Sequence, residues 1–551
     1  MMTRNRQRRL MNKEPIQEVD LISELPDPII QHIMSSLPYK DAARMSVLSK
    51  RFASAWTSSP TIIFDETLNM GSCLELTGKQ RLDSFLSYVG EFLSRRRRLD
   101  VSLEKFSFCF CLSNSSDQQS NGGIENAISY AIENDVKELE LDVVGKRSKL
   151  MAHYSLPMKV LSAHSIIVLS LKGFMLEPPQ NLALDFPSIK ELRLEKCKGM
   201  QKLSVSSQSL KIVVLEYCQG LEKVEIDAPN LESFSFGGGA NSSCSVDVSA
   251  CMSLEYLSLK NAEITDEWIK HEIPKFIRLE VFKVGRCRLL KNFHVSNANL
   301  KTLEISDCSN LQKIEIYSRS LNTFVYGGQL MPSRVFIYSP SFHAKVSLSV
   351  DDPLPHDWFS SLRDFLSCFD HCKELEIACS IEMALIFPID SRDSLLPPLY
   401  DLKYLKVVGK FPTKSEDLVD LVDGLLWSSH RLTVLSFVSG NKEKSLKFEY
   451  DIAVAIDEDL QCCYSMPIKC WRHSLKKVTV ENFDDRENTI LQRFFSQKAI
   501  RLEAISREDN GSADALAEEG VSQDYGSVIT GNIEDLGDAI MANFLDVNEI
   551  Y

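Results

Sequence analysis

From Ile189 onward the chain repeats itself: IKELRLEKCKGMQKLSVSSQS is followed by LKIVVLEYCQGLEKVEIDAPN and then by LESFSF. The leading apolar residues Ile189, Met200, Leu210, Leu221 and Leu231 are spaced 11, 10, 11 and 10 apart, and the same beat returns at Leu279, Leu290, Leu300, Leu311 and Leu321. A 21-residue unit cannot bury its apolar face alone. Stacked on its neighbours it can, which commits the chain to a curved solenoid in which each unit supplies a strand. The second half of each unit repeats the L-x-x-L-x-L shape of the first and shows no helical period. It therefore predicts strands or irregular extended chain on the outer side as well, a β-rich solenoid rather than a helix-backed one. At 265–277 the run TDEWIKHEIPKFI, with Trp268, Ile269, Ile273 and Phe276, predicts a helical or looped crossover.

The pattern L-x-x-L-x-L-x-x-C and its period are those of leucine-rich repeats. Single copies extend the array: VKELELDV at 136–143, IIVLSLKG at 166–173, LEYLSLKN at 254–261, CKELEIAC at 372–379, LKYLKVVG at 402–409 and LTVLSFVS at 432–439. Ahead of them Leu82, Phe85, Leu86, Val89 and Leu93 predict a helix capping the open end of the solenoid, ending in the solvated cations Arg95 to Arg98. In L-x-x-L-x-L the two final apolar residues point inward, so the residue between them points out of the concave sheet. That rule selects Glu140, Ser170, Arg193, Val214, Ser258, Lys283, Glu304, Glu376, Lys406 and Ser436 as one row. Arg193, Val214, Lys283, Glu304 and Lys406 are the candidate target-binding residues.

Residues 20–60 parse as short helices. Asp27 is placed to cap a first one with Pro28 at its first position. Ile29, Ile30, Ile33 and Leu37 give it an apolar side, and Pro38 stops it. Asp41 is placed to cap a second, with Met45, Val47, Leu48 and Phe52 as its apolar positions, and Trp56 closes the unit. Some forty residues are too few to bury this much apolar surface alone, which implies a partner helix surface.

The segment LPDPII…HIMSSLP…DAARMSVLSKRF…W resembles the F-box closely, with Phe52 where many plant members carry Trp. The resemblance implies docking on the Skp1-type adaptor of a cullin-based ubiquitin ligase, with Leu25, Pro26, Ile29, Ile33, Leu37, Val47, Leu48 and Trp56 at adaptor-facing or core positions. TIIFDE, ENAISYAIENDVKELELDV and LPMKVLSAHSIIVLSLKG extend the likeness to plant F-box proteins with leucine-rich repeats. Residues 470–505 resemble the FBD module that closes many of them, with Asp484 where that module usually has Gly.

Net charge is −14, of which −11 falls between Glu503 and Tyr551, so the body is nearly neutral. That excludes the broad basic field of a nucleic-acid groove. No run approaches a membrane span, and the opening MMTRNRQRRLMNK leads into no apolar signal segment. The fifteen Cys are expected to be reduced thiols in an intracellular protein, cytoplasmic or nuclear. Cys197, Cys218, Cys287 and Cys308 share one repeat position and read as a buried ladder. Cys368, His371 and Cys372 read as core, because zinc needs four ligands and no second cluster accompanies them. No phosphate loop, HExxH or GxSxG is present, so neither a catalytic residue nor a cofactor or metal is assigned.

The resulting expectation is an α+β chain: a basic disordered start at 1–19, an F-box at 20–60, a leucine-rich-repeat solenoid at 61–465, an FBD-like module at 466–505 and an acidic, mostly disordered tail at 506–551. The function it implies is the non-catalytic substrate-recognition subunit of a Skp1–cullin–F-box ligase, holding an unknown target protein, with no nucleic acid or membrane partner. Two other readings stay open: a hormone-type co-receptor in which a small molecule completes the repeat surface, and a repeat scaffold without ligase function.

Overall fold

The computed structural model describes residues 25–508 except 38–43, 46–48, 70–76, 100, 113–120, 146–153, 177–180, 185–186, 240–242, 393–394, 411–414, 452–469 and 501. The predicted N-terminal disorder, the Asp41 cap, Val47, Leu48 and the acidic tail from 509 lie outside the described residues. The chain divides into two compact units, residues 1–200 and 201–551.

The first unit opens with helices Asp27–Ser36 and Lys50–Thr57. Their shared core is Ile30, Met34, Phe52 and Ala55, with Leu25, Leu37, Met45 and Trp56 packed against it. Two local expectations are corrected. Asp27 is the first residue of its helix, not its cap, and its carboxylate accepts from Arg51 Nε at 2.9 Å. Phe52 belongs to a separate helix capped by Ser49, whose hydroxyl accepts from Phe52 N at 3.2 Å.

Five parallel strands follow in the same unit: Thr61–Asp65, Lys105–Leu112, Glu138–Gly145, Val168–Lys172 and Glu191–Glu195. Helix Gly78–Arg96 begins with a Thr77–Gln80 capping box. It buries all five predicted apolar positions, Leu82, Phe85, Leu86, Val89 and Leu93. A second helix, Asn121–Glu133, lies where the sequence reading placed none. Its Asn-Gly-Gly start masks it, because glycine is a poor helix former.

In the second unit the strands Ile212–Glu216, Ser233–Gly237, Tyr256–Lys260, Val281–Gly285, Thr302–Ser306, Thr323–Gly328, His343–Leu348, Glu374–Cys379, Tyr404–Val408 and Val434–Ser439 form a parallel ladder. Behind them run further parallel strands, Lys202–Ser206, Lys223–Asp227 and Ser245–Asp247 in one group and Asn292–Ser296, Lys313–Tyr317 and Arg334–Tyr338 in another. The β-rich back is therefore present from 202 to 338. It is interrupted at the predicted crossover by helix Asp266–Glu272, capped by Thr265, and a 3-10 turn over Ile273–Lys275.

Beyond 348 the back is helical, with Trp358–Ser367 and Ser415–Ser428. Length explains the change. The strands starting at 343, 374, 404 and 434 are 30 or 31 residues apart instead of 21, which leaves room for the roughly three turns of Trp358–Ser367 and four turns of Ser415–Ser428 between them.

The ladder Cys have a common local geometry. Lys196, Tyr217, Arg286 and Asp307, each directly before one, all have φ between 52° and 54°. This left-handed residue turns the chain off the strand, at a cost of about 1–2 kcal/mol for residues with a Cβ. The thiol that follows then donates back to the carbonyl two residues earlier, Cys287 to Gly285 at 3.3 Å and Cys308 to Ser306 at 3.5 Å.

Burial pushes the Cys287 thiol up to about 11 and the Cys308 thiol up to about 12. At pH 8 a thiol with a pKa near 11 is roughly 0.1% thiolate, against roughly 10% for one near 9. Alkylation of Cys287 and Cys308 in the folded chain at pH 8 is therefore expected to be at least about a hundredfold slower than in denaturant. Equal rates, read by mass spectrometry, would show that the ladder is open to solvent.

The ladder closes with a change of direction. Strand Lys442–Tyr450 is antiparallel to Val434–Ser439, Leu475–Glu481 is antiparallel to it, and Ala504–Glu508 lies parallel to Leu475–Glu481. Asp484 caps helix Asp485–Lys498 by accepting from Glu487 N at 2.8 Å, a role Gly has no side chain to perform. Asp423, largely buried, joins Arg392 at 2.5 Å and Arg472 at 3.2 Å, tying helix Ser415–Ser428 to this closing segment.

Candidate functional site

The candidate residues fall on the N-terminal helices of the first unit and on a row of strand positions present in each unit. On the first helix the apolar positions divide. Ile30 and Met34 are buried, and Leu25, Leu37 and Trp56 pack against them. Ile29, 46% exposed, sits one turn from the half-buried Ile33 and beside the exposed Pro26. A helix places i and i+4 on one face. Ile29 and Ile33 therefore share a face of the helix outside the core, against which Leu25, Leu37 and Trp56 pack.

The second surface is the row between the inward-pointing residues of the ladder. In the second unit the register aligns Val214, Ser235, Ser258, Lys283, Glu304, Val325, Lys345, Glu376, Lys406, Ser436 and Ser445 across neighbouring strands. In the first unit it aligns Ser107, Glu140, Ser170 and Arg193. Ser235, Val325, Lys345 and Ser107 were missed by sequence reasoning. ESFSF, NTFVYG and HAKVSL carry aromatic or small residues at the inward positions, so a rule built on L-x-L passes over them although the two-residue alternation is intact.

The charges of the row are largely neutralised along it. Lys283 Nζ lies 3.1 Å from Glu304, with the two side chains only 19% and 13% exposed. Glu376 is shared by Lys345 at 3.3 Å and Lys406 at 3.8 Å. Glu140 pairs with Lys105 at 2.6 Å, and Arg193 with Glu191. Adjacent strands lie about 4.8 Å apart, so the row presents alternating charge at that spacing rather than a field of one sign. Such a surface sets register and partner choice more than raw affinity.

Of Cys368, His371 and Cys372, read as core from the sequence, only Cys372 is buried; Cys368 is half-buried and His371 is exposed, a correction to that reading. His371 Nε2 lies 3.3 Å from the Ile337 carbonyl, and the Cys368 thiol donates to Asp364 O at 3.4 Å. With Val335, Phe336, Tyr338 and Ser367 they line a groove beside strand Arg334–Tyr338, on the outer strands and not on the row. Among the described residues no group of three or more His, Cys, Asp or Glu could hold a metal ion, and no helix is long and apolar enough to cross a membrane.

Compared with known proteins, residues 22–64 match the F-box domain model, and residues 185–249 and 240–491 match that of the At1g61320/AtMIF1 LRR domain. The chain is 24% identical over 386 residues, 65% of its length, to the putative FBD-associated F-box protein At5g22720 of Arabidopsis thaliana, covering 73% of that protein. It is 24% identical over 389 residues to the putative F-box/LRR-repeat protein At5g02930 of the same plant, covering 70% of the chain and 66% of the relative. To Arabidopsis F-box/LRR-repeat protein 13 it is 29% identical over 182 residues, 32% of the chain and only 35% of that relative.

Proposed function

Because the chain belongs to the leucine-rich-repeat family of the At1g61320/AtMIF1 type and carries an F-box, we propose that it is a substrate-recognition subunit of a Skp1–cullin–F-box ubiquitin ligase. Ile29 and Ile33, with Pro26, Val47 and Leu48, would meet the adaptor, while the concave row holds a target protein. The observation that carries the reading is the outward strip on a helix whose other apolar residues are already used inside. The protein would catalyse nothing itself. Its contribution is proximity, since holding target and ubiquitin-loading machinery together turns their encounter into an effectively intramolecular one. Residues 466–505 are read as an FBD-like closing module, in keeping with the FBD-associated relatives.

Because the charges of the row are paired, a charge swap tests the target surface more cleanly than a reversal. Lys283→Glu with Glu304→Lys keeps opposite charges side by side across the two strands, so neither largely buried side chain is left without a counter-charge. Folding and adaptor binding are expected to persist while target capture falls about tenfold, read by affinity purification with proteasome inhibition. Unchanged capture would move the receptor surface to the rim loops.

A further inference from the structure

Among the four consecutive arginines that end helix Gly78–Arg96, three are engaged, and one of these lies in an unusual place. Arg95 pairs with Glu91 at 2.5 Å, and Arg97 reaches Asn126 at 3.1 Å and Glu133 at 3.5 Å. Arg96, expected to be solvated, is 0% exposed. Its Nη1 donates to Thr57 O at 2.5 Å and its Nη2 to Ser102 O at 3.1 Å. Burial pulls the guanidinium below its ordinary pKa.

A buried guanidinium is costly unless its surroundings supply negative charge. Among the described residues its side-chain acceptors are two backbone carbonyls and no carboxylate. Thr57 is the last residue of helix Lys50–Thr57, and Arg96 lies in the last turn of its own helix. The carbonyl end of a helix carries roughly half a negative charge, so two such ends meet at one cation. Its partners come from two parts of the chain, the second described docking helix and the loop before strand Lys105–Leu112, while the neighbouring Arg97 reaches helix Asn121–Glu133. Beside them Phe92 packs edge-on against Trp56 at 6.5 Å and Phe64 at 5.4 Å.

We propose that Arg96 is a positioning residue that clamps the docking module to the repeat cap, so that a target held by the repeats is presented at a fixed angle to the ligase. The proposal rests on the adaptor-docking reading for its purpose but not for its geometry. Lys cannot replace Arg here without loss, because a single ammonium does not match the planar fork that reaches separate acceptors. Leucine-like shape alone would leave the Thr57 and Ser102 carbonyls without their donor.

The test uses the full chain, free and with a Skp1-type adaptor, carrying spin labels on ketone-bearing residues introduced at the exposed positions Ser54 and Glu125. The parent should give one narrow distance distribution. Arg96→Met should at least double its width while adaptor binding is retained, and Arg96→Lys should fall between the two. A merely structural role would lower the melting temperature without widening the distribution. If Arg96→Met does not fold, Arg96→Gln and Arg96→Lys supply the comparison, and parental widths in both overturn the clamp. Loss of adaptor binding by the parent itself would instead overturn the docking reading and leave the distance measurement standing.

Discussion

Replacing Ile29 and Ile33 together by Asp is expected to abolish co-purification with a Skp1-type adaptor while leaving the free chain folded. Each isoleucine buried in an interface contributes about 1.5–3 kcal/mol, so the pair accounts for about 3–6 kcal/mol, at least about a hundredfold in Kd. Two carboxylates desolvated in their place widen the gap. The free chain tolerates the change because Ile29 is nearly half exposed and neither residue belongs to the buried core of Ile30, Met34, Phe52 and Ala55. Ile30→Asp should behave differently, unfolding the module itself. Surface-plasmon measurement against purified adaptor decides: parental affinity in the double variant would mean that the strip is not the docking face. Leu48→Arg, outside the described residues, gives an independent test of the anchors read from the sequence.

Trp471→Ala should produce the largest loss of stability in the second unit. The indole is 2% exposed, and its ring centroid lies 5.9 Å from that of Phe494 and 6.0 Å from that of Phe495. Phe495 in turn packs against Phe448 at 6.0 Å, so one side chain joins the closing helix to the antiparallel strand beneath it. Truncating a buried aromatic to Ala costs about 3–5 kcal/mol, because a cavity is left where the neighbours cannot collapse. Amide exchange should quicken across Leu475–Glu481 and Ala504–Glu508 and stay parental in Thr302–Ser306. A urea midpoint and exchange pattern unchanged from the parent would show that the C-terminal elements are fastened elsewhere, for instance by the Arg392–Asp423–Arg472 group.

What the amino-acid order determined by itself was the repeat, while the helices Asn121–Glu133, Trp358–Ser367 and Ser415–Ser428 went unread. A strand shows its side chains alternately and a helix repeats every 3.6 residues, so L-x-x-L-x-L at a 21-residue beat named the solenoid, its strands and the outward row. The capping helix was legible from Leu82 to Leu93 for the same reason. Apart from Ser445 on the antiparallel closing strand, the row was incomplete where aromatic or small residues replaced leucine at the inward positions.

Tertiary structure alone decided three matters. It divided Ile29 and Ile33 from Ile30 and Met34, since an apolar residue reads the same whether its own core or a partner covers it. It paired Lys283 with Glu304 and Lys345 and Lys406 with Glu376, partners 21 to 31 residues apart that only strand register brings side by side. And it buried Arg96 within a run of four identical residues. Nothing local distinguishes that arginine from its neighbours; what distinguishes it is the meeting of two helix ends that are 39 residues apart in the chain.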